Sequence, residues 1–252
     1  MNKLVSTIIT TCNRFDLFKI ALASVQNQTY KEIEIIVVDG SDINTVQDYI
    51  KQYPNIIYVN HKSKHPNVLR NIGIECANGE LLAFLDDDDM WENDKLALQV
   101  QCLKNSNIGL CYTGKNILNS NNNKIKYSYH VAKFKSDRKS IMWDNFIGTT
   151  SSIMVRKDVI LDVDCFDEQL PALQDYDLYI RICQKYKVQG INQNLVRYLD
   201  NHANNQISKN KDNFGRACQL LKKKYKQLPN SAMLSVSLSK IKLKRKMKGW
   251  YE

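Results

Sequence analysis

Leu81-Leu82-Ala83-Phe84-Leu85-Asp86-Asp87-Asp88-Asp89 decides the reading of this chain. Five consecutive apolar residues read as a strand buried on both faces, and the carboxylates that follow place an acidic cluster at its tip. Four adjacent carboxylates repel one another unless a cation or ligand donors offset them. An open α/β sheet binds its ligand outside the carboxyl ends of its strands, so this tip is the first candidate site. The plain alternative is a solvated acidic turn that caps the next helix.

Strand-like and helix-like segments alternate around this stretch. Residues 4–10, 33–38 and 56–59 are short β-rich apolar runs. Between them, residues 15–26 carry Phe18, Leu22 and Val25 at helical spacing, and residues 45–53 form a second helix stopped by Pro54. Residues 67–77 read as a helix closed by Asn78-Gly79, and residues 93–103 as the helix after the aspartates. Strands separated by helices of this length imply parallel βαβ units, so four parallel strands are expected in one sheet. The second half is less regular. Residues 119–124 form an asparagine-rich turn, 149–155 and 196–199 are strand candidates, and 173–186 is a helix candidate.

The chain has 252 residues, 43% of them hydrophobic, enough for one large α/β domain with an appendage. No run of eighteen apolar residues occurs, and the N-terminus reads directly into a strand rather than a signal peptide. Seven scattered cysteines without a C-x-x-C pair predict reduced, mostly buried thiols in a cytoplasmic setting. The net charge of +10 is concentrated: residues 209–252 hold 13 Lys/Arg against 2 Asp/Glu, so the body is nearly neutral. That distribution argues against a nucleic-acid partner. The first turn, Thr10-Thr11-Cys12-Asn13-Arg14, lacks glycine, so neither a dinucleotide fingerprint nor a P-loop is present.

Five segments together resemble the family 2 glycosyltransferases. They are Val5-Ser6-Thr7-Ile8-Ile9-Thr10-Thr11-Cys12-Asn13-Arg14; Gln28-Thr29-Tyr30 with Glu34-Ile35-Ile36-Val37-Val38-Asp39-Gly40-Ser41; Leu69-Arg70-Asn71-Ile72-Gly73; Phe84-Leu85-Asp86-Asp87-Asp88-Asp89-Met90-Trp91; and Gln174-Asp175-Tyr176-Asp177-Leu178. The third is similar to that family's A-R-N-x-G segment and the fourth to its D-x-D metal motif. The last is similar to its catalytic E-D motif, with Gln174 in place of glutamate. The resemblance covers residues 3–208. It implies an α/β GT-A fold, a mostly parallel Rossmann-like sheet flanked by helices. Residues 1–115 would form the nucleotide-binding half and 116–208 the acceptor half, with 209–252 as a basic helical extension.

The resemblance also distributes roles. Thr10, Asn13, Arg14, Asp39 and Arg70 would hold the nucleotide, with Asp39 reading a base N–H as a pure acceptor. Asp87 would contact the ribose and Asp88 a Mn²⁺ or Mg²⁺ ion, with Asp86 able to share either role, and Asp89 would cap the next helix. Hard oxygen donors suit such ions. Asp175 would be the general base, while Asp177 is structural. His202, with Ser208 downstream, would ligand the metal or touch the diphosphate. His61, His65 and His130 are surface residues, and Trp91 and Trp143 are candidate pocket walls. The implied activity is an inverting, metal-dependent transfer of a hexosyl or N-acetylhexosaminyl group. The donor would be a nucleotide sugar, UDP-linked, and the acceptor a saccharide or lipid-linked saccharide in surface polysaccharide assembly. The rivals are a nucleotidyltransferase that makes sugar nucleotides, and a degenerate GT-A binding module.

The tail carries two apolar stripes. Leu234, Leu238 and Ile241 form one, which could pack on the body. Leu243, Met247 and Trp250 form the other, which with Tyr251 could enter a membrane surface whose anionic lipids attract the lysines. The expectation is a peripheral protein at the inner face of the cell membrane, held through residues 231–252.

Overall fold

The computed structural model describes residues 3–119, 124–131, 138–200 and 210–247. The first half alternates as expected: β1 (Val5–Thr11), α1 (Phe15–Gln26), β2 (Ile33–Asp39), α2 (Thr45–Ile50), β3 (Ile56–Asn60), α3 (Pro66–Cys76) and β4 (Leu81–Asp86). The aspartate run crosses into a short strand, β5 (Asp89–Trp91), before α4 (Lys95–Cys102). Then follow β6 (Ile108–Asn119), β7 (Ile125–Tyr129), α5 (Arg138–Trp143), a 3-10 turn at Thr150–Ser152, β8 (Ile153–Arg156), α6 (Lys157–Asp162), α7 (Gln174–Lys185) and β9 (Lys187–Asp200). Two helices, α8 (Lys211–Lys224) and α9 (Ser231–Met247), follow.

Among the described residues nine strands join one sheet in the order β3-β2-β1-β4-β8-β6-β9-β5, with β7 on β6. The first four are parallel, and β8 reverses direction against both β4 and β6. This is the mixed, helix-flanked sheet of a GT-A fold. Its register aligns the strand tips that matter. Thr11 pairs with Asp39, and Thr10 pairs with Asp86, so three strands deliver polar residues to one edge.

Two apolar layers cover the sheet. One holds Phe18, Leu22, Val37, Leu85 and Trp91 beneath α1 and α4. The other holds Ile8, Ile36, Phe84 and Tyr176 beneath α3 and α7, and it extends to Phe214, Leu221, Leu234 and Leu238 of α8 and α9. The basic extension is therefore packed on the body through its first stripe. Each such fully buried side chain is worth about 1.5–3 kcal/mol. Of the second stripe, Leu243 is exposed, while Trp250, Tyr251 and the Met247 side chain lie outside the described residues.

Two sequence readings change here. Asp89 does not cap a helix; it is a buried β5 residue opposite Tyr198, and Asp94 precedes α4. The cysteines are all free, but only Cys111 and Cys183 are buried.

Candidate active site

A cleft of about 660 Å³ opens at the aligned strand tips. Among its lining residues are Thr10, Thr11, Arg14, Arg70, Asp86, Asp87, Asp88 and Asp175. The aspartate run and the start of α7, remote in sequence, therefore share one cavity.

The α3 helix shows how local sequence places a site residue. Gly73 lies so close to Ile8 of β1 that a Cβ there would collide with the isoleucine side chain. That contact lowers α3 onto the sheet and carries Arg70, one turn earlier, to the tip of β4. Arg70 Nη2 donates to Asp86 Oδ1 at 2.6 Å, its Nη1 donates to Asn67, and its guanidinium stands 5.4 Å from the Phe166 ring centroid. Asn71 clamps the chain ahead of α7, donating to the Phe166 carbonyl at 2.9 Å and accepting its N–H at 3.0 Å. The three polar or small positions of Arg70-Asn71-x-Gly73 thus serve the cleft, the facing loop and the sheet in turn.

The aspartates divide by environment. Asp86 is 26% exposed in its side chain and bears Arg70, with Thr10 Oγ1 3.5 Å away. Asp87, 2% exposed, accepts from Thr11 Oγ1 at 2.8 Å and faces Arg14 at 3.2 Å. Burial pushes its carboxyl up to about 7, with Arg14 pulling the other way and Asp88 adding to the rise. Asp88 is 16% exposed and accepts from Arg14 at 2.9 Å; burial, and Asp86 nearby, raise its pKa against the pull of Arg14. Asp89 is driven well above the ordinary range by burial and by Asp88 and Asp86, and its Oδ1 has no hydrogen-bond partner among the described residues. The charge on this tip is thus only partly offset by Arg14 and Arg70. Asp87 is thus enclosed and already shared by Thr11 and Arg14, while Asp86 is the more exposed of the two.

Asp39 stands at the tip of β2. It is fully buried, Oδ1 accepts the Ser41 N–H at 2.8 Å, and Oδ2 accepts the Tyr58 hydroxyl at 3.0 Å. It is not among the residues lining the cleft. Its partner Tyr58 comes from β3, next door in the sheet. Asn13 also stands outside the lining; its left-handed backbone (φ 55°) and its N–H bond to Ser41 Oγ tie the first turn to the second.

Asp175 enters from the other side. Leu173 precedes α7 with φ 59° and ψ 28°, a left-handed conformation rare for leucine, and the helix begins immediately after it. Asp175 Oδ1 accepts the Tyr176 N–H at 2.7 Å. Burial raises the Asp175 pKa, while that hydrogen bond and the charges of Arg70, Lys115 and Arg245 moderate the rise. Asp177 turns away, as expected, and anchors α8: it pairs with Lys224 at 2.9 Å and Arg181 at 2.8 Å, and accepts the Tyr225 hydroxyl at 2.6 Å. Tyr176 reaches α5 and α9 through the Ile141 carbonyl and Ser237 Oγ.

Several cleft residues were not anticipated from sequence. Lys115 lies 5.0 Å from the Tyr198 ring, His130 lines the wall although it reads as a surface histidine, and α9 contributes Ile241, Lys244 and Arg245. The tail's charge density was visible, but nothing in its pattern pointed to the cleft. Trp91 is core, its indole N–H donating to the Ser151 carbonyl, and Trp143 sits on α5 with Lys240 over its ring. His202 and Ser208 lie outside the described residues. Among the described residues no three His, Cys, Asp or Glu gather as a metal cage. The outward carboxylates of Asp86 and Asp88 still fit a hard cation that takes most of its shell from substrate phosphates.

The model of the family described as glycosyl transferase family 2 matches residues 6–164. This chain belongs to glycosyl transferase family 2. A Rickettsia felis relative named an uncharacterized glycosyltransferase is 30% identical over 77% of this chain and 32% of its own length. The chain thus spans about a third of that relative. An Escherichia coli relative, the UDP-Glc:alpha-D-GlcNAc-diphosphoundecaprenol beta-1,3-glucosyltransferase WfgD, is 26% identical over 82% of this chain and 81% of its own length. Among solved structures, S. aureus TarS 1-349 in complex with UDP-GlcNAc superposes with a TM-score of 0.72 at 17% identity, covering 91% of this chain and 69% of TarS 1-349. The Pyrobaculum calidifontis mannosyltransferase PcManGT, in complex with GDP-Man and Mn²⁺, gives 0.62 at 16% identity over 98% and 76% of the two chains. Both share its fold.

Proposed function

We propose that this family 2 glycosyltransferase is an inverting, divalent-metal-dependent enzyme. It moves a hexosyl or N-acetylhexosaminyl group from a UDP-sugar to a lipid-linked saccharide during surface polysaccharide assembly. The supporting observation is that the aspartate tip and Asp175 line one cleft from different elements. The names of WfgD and of the TarS complex support a UDP-linked donor, and WfgD a diphosphate-lipid acceptor.

In this reading Thr10, Arg14 and Arg70 bind the nucleotide, and Asp86, the more exposed carboxylate, takes the ribose. Asp39 and Asn13 hold the adjoining turns in shape and Asp87 aims Arg14. Asp88 would hold Mg²⁺ or Mn²⁺, with His202 as a second protein ligand. Bound there, the ion supplies positive charge to the leaving nucleoside diphosphate. Asp175 removes the proton from the acceptor hydroxyl as its oxygen attacks the anomeric carbon and the bond to the diphosphate breaks. A carboxylate whose pKa burial has raised is a stronger base than a solvated one, and the nearby cations moderate the rise. Among the described residues no helix is long and apolar enough to cross a membrane. We place the exposed outer side of α9, with Lys242, Leu243 and Lys246, against the anionic membrane face.

The test is nucleoside diphosphate release from a panel of nucleotide sugars, with and without Mn²⁺. Release that is UDP-selective and metal-dependent supports the reading, and release indifferent to the metal refutes its metal requirement.

A further inference from the structure

A second groove, of about 490 Å³, lies between α5 and α9. It shares Asp144, Ile241 and Lys244 with the wall of the main cleft, so the two spaces adjoin at that seam. Its chemistry differs from that of the donor side. Trp143 is 41% exposed, Lys240 stands 5.0 Å from its ring centroid, and Lys244 follows one helical turn later. Arg245 faces the main cleft beside them. Asp144 is the one carboxylate in the groove's lining, against two lysines. The groove therefore joins an apolar floor of Trp143 and Ile241 to a cationic rim.

That combination suits an amphiphilic anion. Lysine ammonium groups pair with phosphate oxygens as charge-assisted donors, and an exposed indole beside them takes hydrocarbon or a sugar face. On the glycosyl-transfer reading, the donor's own diphosphate belongs at the aspartate tip. We propose that the groove between α5 and α9 is an acceptor subsite: Lys240 and Lys244 hold the diphosphate of a lipid-linked acceptor while its sugar lies over Asp175. The assignment rests on the glycosyl-transfer reading. It gives the basic helix a role in substrate recognition that does not require α9 to lie on a bilayer.

Decyl diphosphate, used below its micelle concentration, is the probe. It is titrated calorimetrically into the full chain saturated with UDP, so that the donor's phosphate positions are filled. The expected result is saturable binding that weakens at least tenfold in the Lys240→Gln/Lys244→Gln variant; both side chains are exposed, and the fold does not depend on them. Decyl maltoside, with the same chain and no charge, should bind far more weakly. The subsite is overturned if decyl diphosphate fails to bind the UDP-loaded protein, or binds the double variant equally well. It is also overturned if the variant loses binding to phosphatidylglycerol vesicles while keeping decyl diphosphate, since the lysines would then read a membrane surface. If UDP itself leaves the melting temperature unchanged, the glycosyl-transfer reading fails. The decyl diphosphate titration, run without UDP, still decides the groove.

Discussion

On the donor side of the cleft the carboxylates come in a run, and side chains from neighbouring elements answer them: Arg70 on Asp86, Thr11 and Arg14 on Asp87, Arg14 again on Asp88. On the proposed acceptor side Asp175 stands by itself at a helix start, held by the N–H of the next residue, with cations acting at longer range. The donor side therefore merges binding with folding, because each arginine offsets a charge that the strand tip would otherwise leave bare. The acceptor side separates them. Removing the Asp175 charge should disturb chemistry and little else.

That contrast can be broken most sharply at Asp175. The Asp175→Asn variant should lose about 10³-fold in kcat, the scale of general-base catalysis, while UDP-sugar affinity and melting temperature stay near wild type. A variant that keeps full turnover would remove Asp175 from the reaction. On the donor side, Arg70→Met should cost about 3 kcal/mol of stability, because Asp86 and the largely enclosed Arg70 are paired there. Urea unfolding reads this directly, and a variant with unchanged stability would show the pair to be dispensable for the fold.

A third arrangement sharpens the comparison. Lys95 is fully buried beneath the donor side, donates to Gln99 Oε1 at 2.6 Å and lies 3.9 Å from the Trp91 ring centroid. Burial lowers its pKa to about 7. The unfolded chain holds that proton up to the ordinary value near 10.5, so from about 7 upward the unfolded state binds more protons and this group's contribution to stability rises with pH. Lys95→Met should therefore stabilise by about 2 kcal/mol at neutral pH, and the gain should shrink toward pH ~10. Unfolding curves at both ends of that range check the sign. The smallest effect is expected from Arg245→Gln. Without that cation the Asp175 pKa rises, and the acid limb of kcat/KM moves to higher pH. An unmoved limb would mean that Arg245 does not act on the base.

The donor half was legible because each of its strands is a short apolar run closed by a polar signal. All four were read within one or two residues and lie parallel in one sheet, as expected. The acceptor half hid β9, of which only the end could be read. Lys187-Val188-Gln189-Gly190-Ile191-Asn192-Gln193-Asn194 is too polar to look like a strand, yet it lies between β6 and β5, so its pairing is a property of the assembled sheet. Asp39 was found at a strand tip from sequence. Its enclosure was not, because Tyr58 reaches it only through the β2–β3 register. The tail's apolar stripe at Leu234, Leu238 and Ile241 foretold packing on the body. It gave no sign that the next turn would close a wall of the cleft.

The left-handed turn at Leu173 has a consequence for how such a site can vary. A non-glycine residue there costs about 1–3 kcal/mol, sustained by the surrounding packing. What it secures is the starting direction of α7, and with it the line along which Asp175 points. The proposed base is thus aimed by main chain, the part of a protein least able to drift by single substitutions. The α9 rim, made of exposed lysines on a docked helix, can change freely without disturbing that line. On the proposed acceptor assignment, novelty in acceptor choice has its room there, while the direction of Asp175 stays fixed.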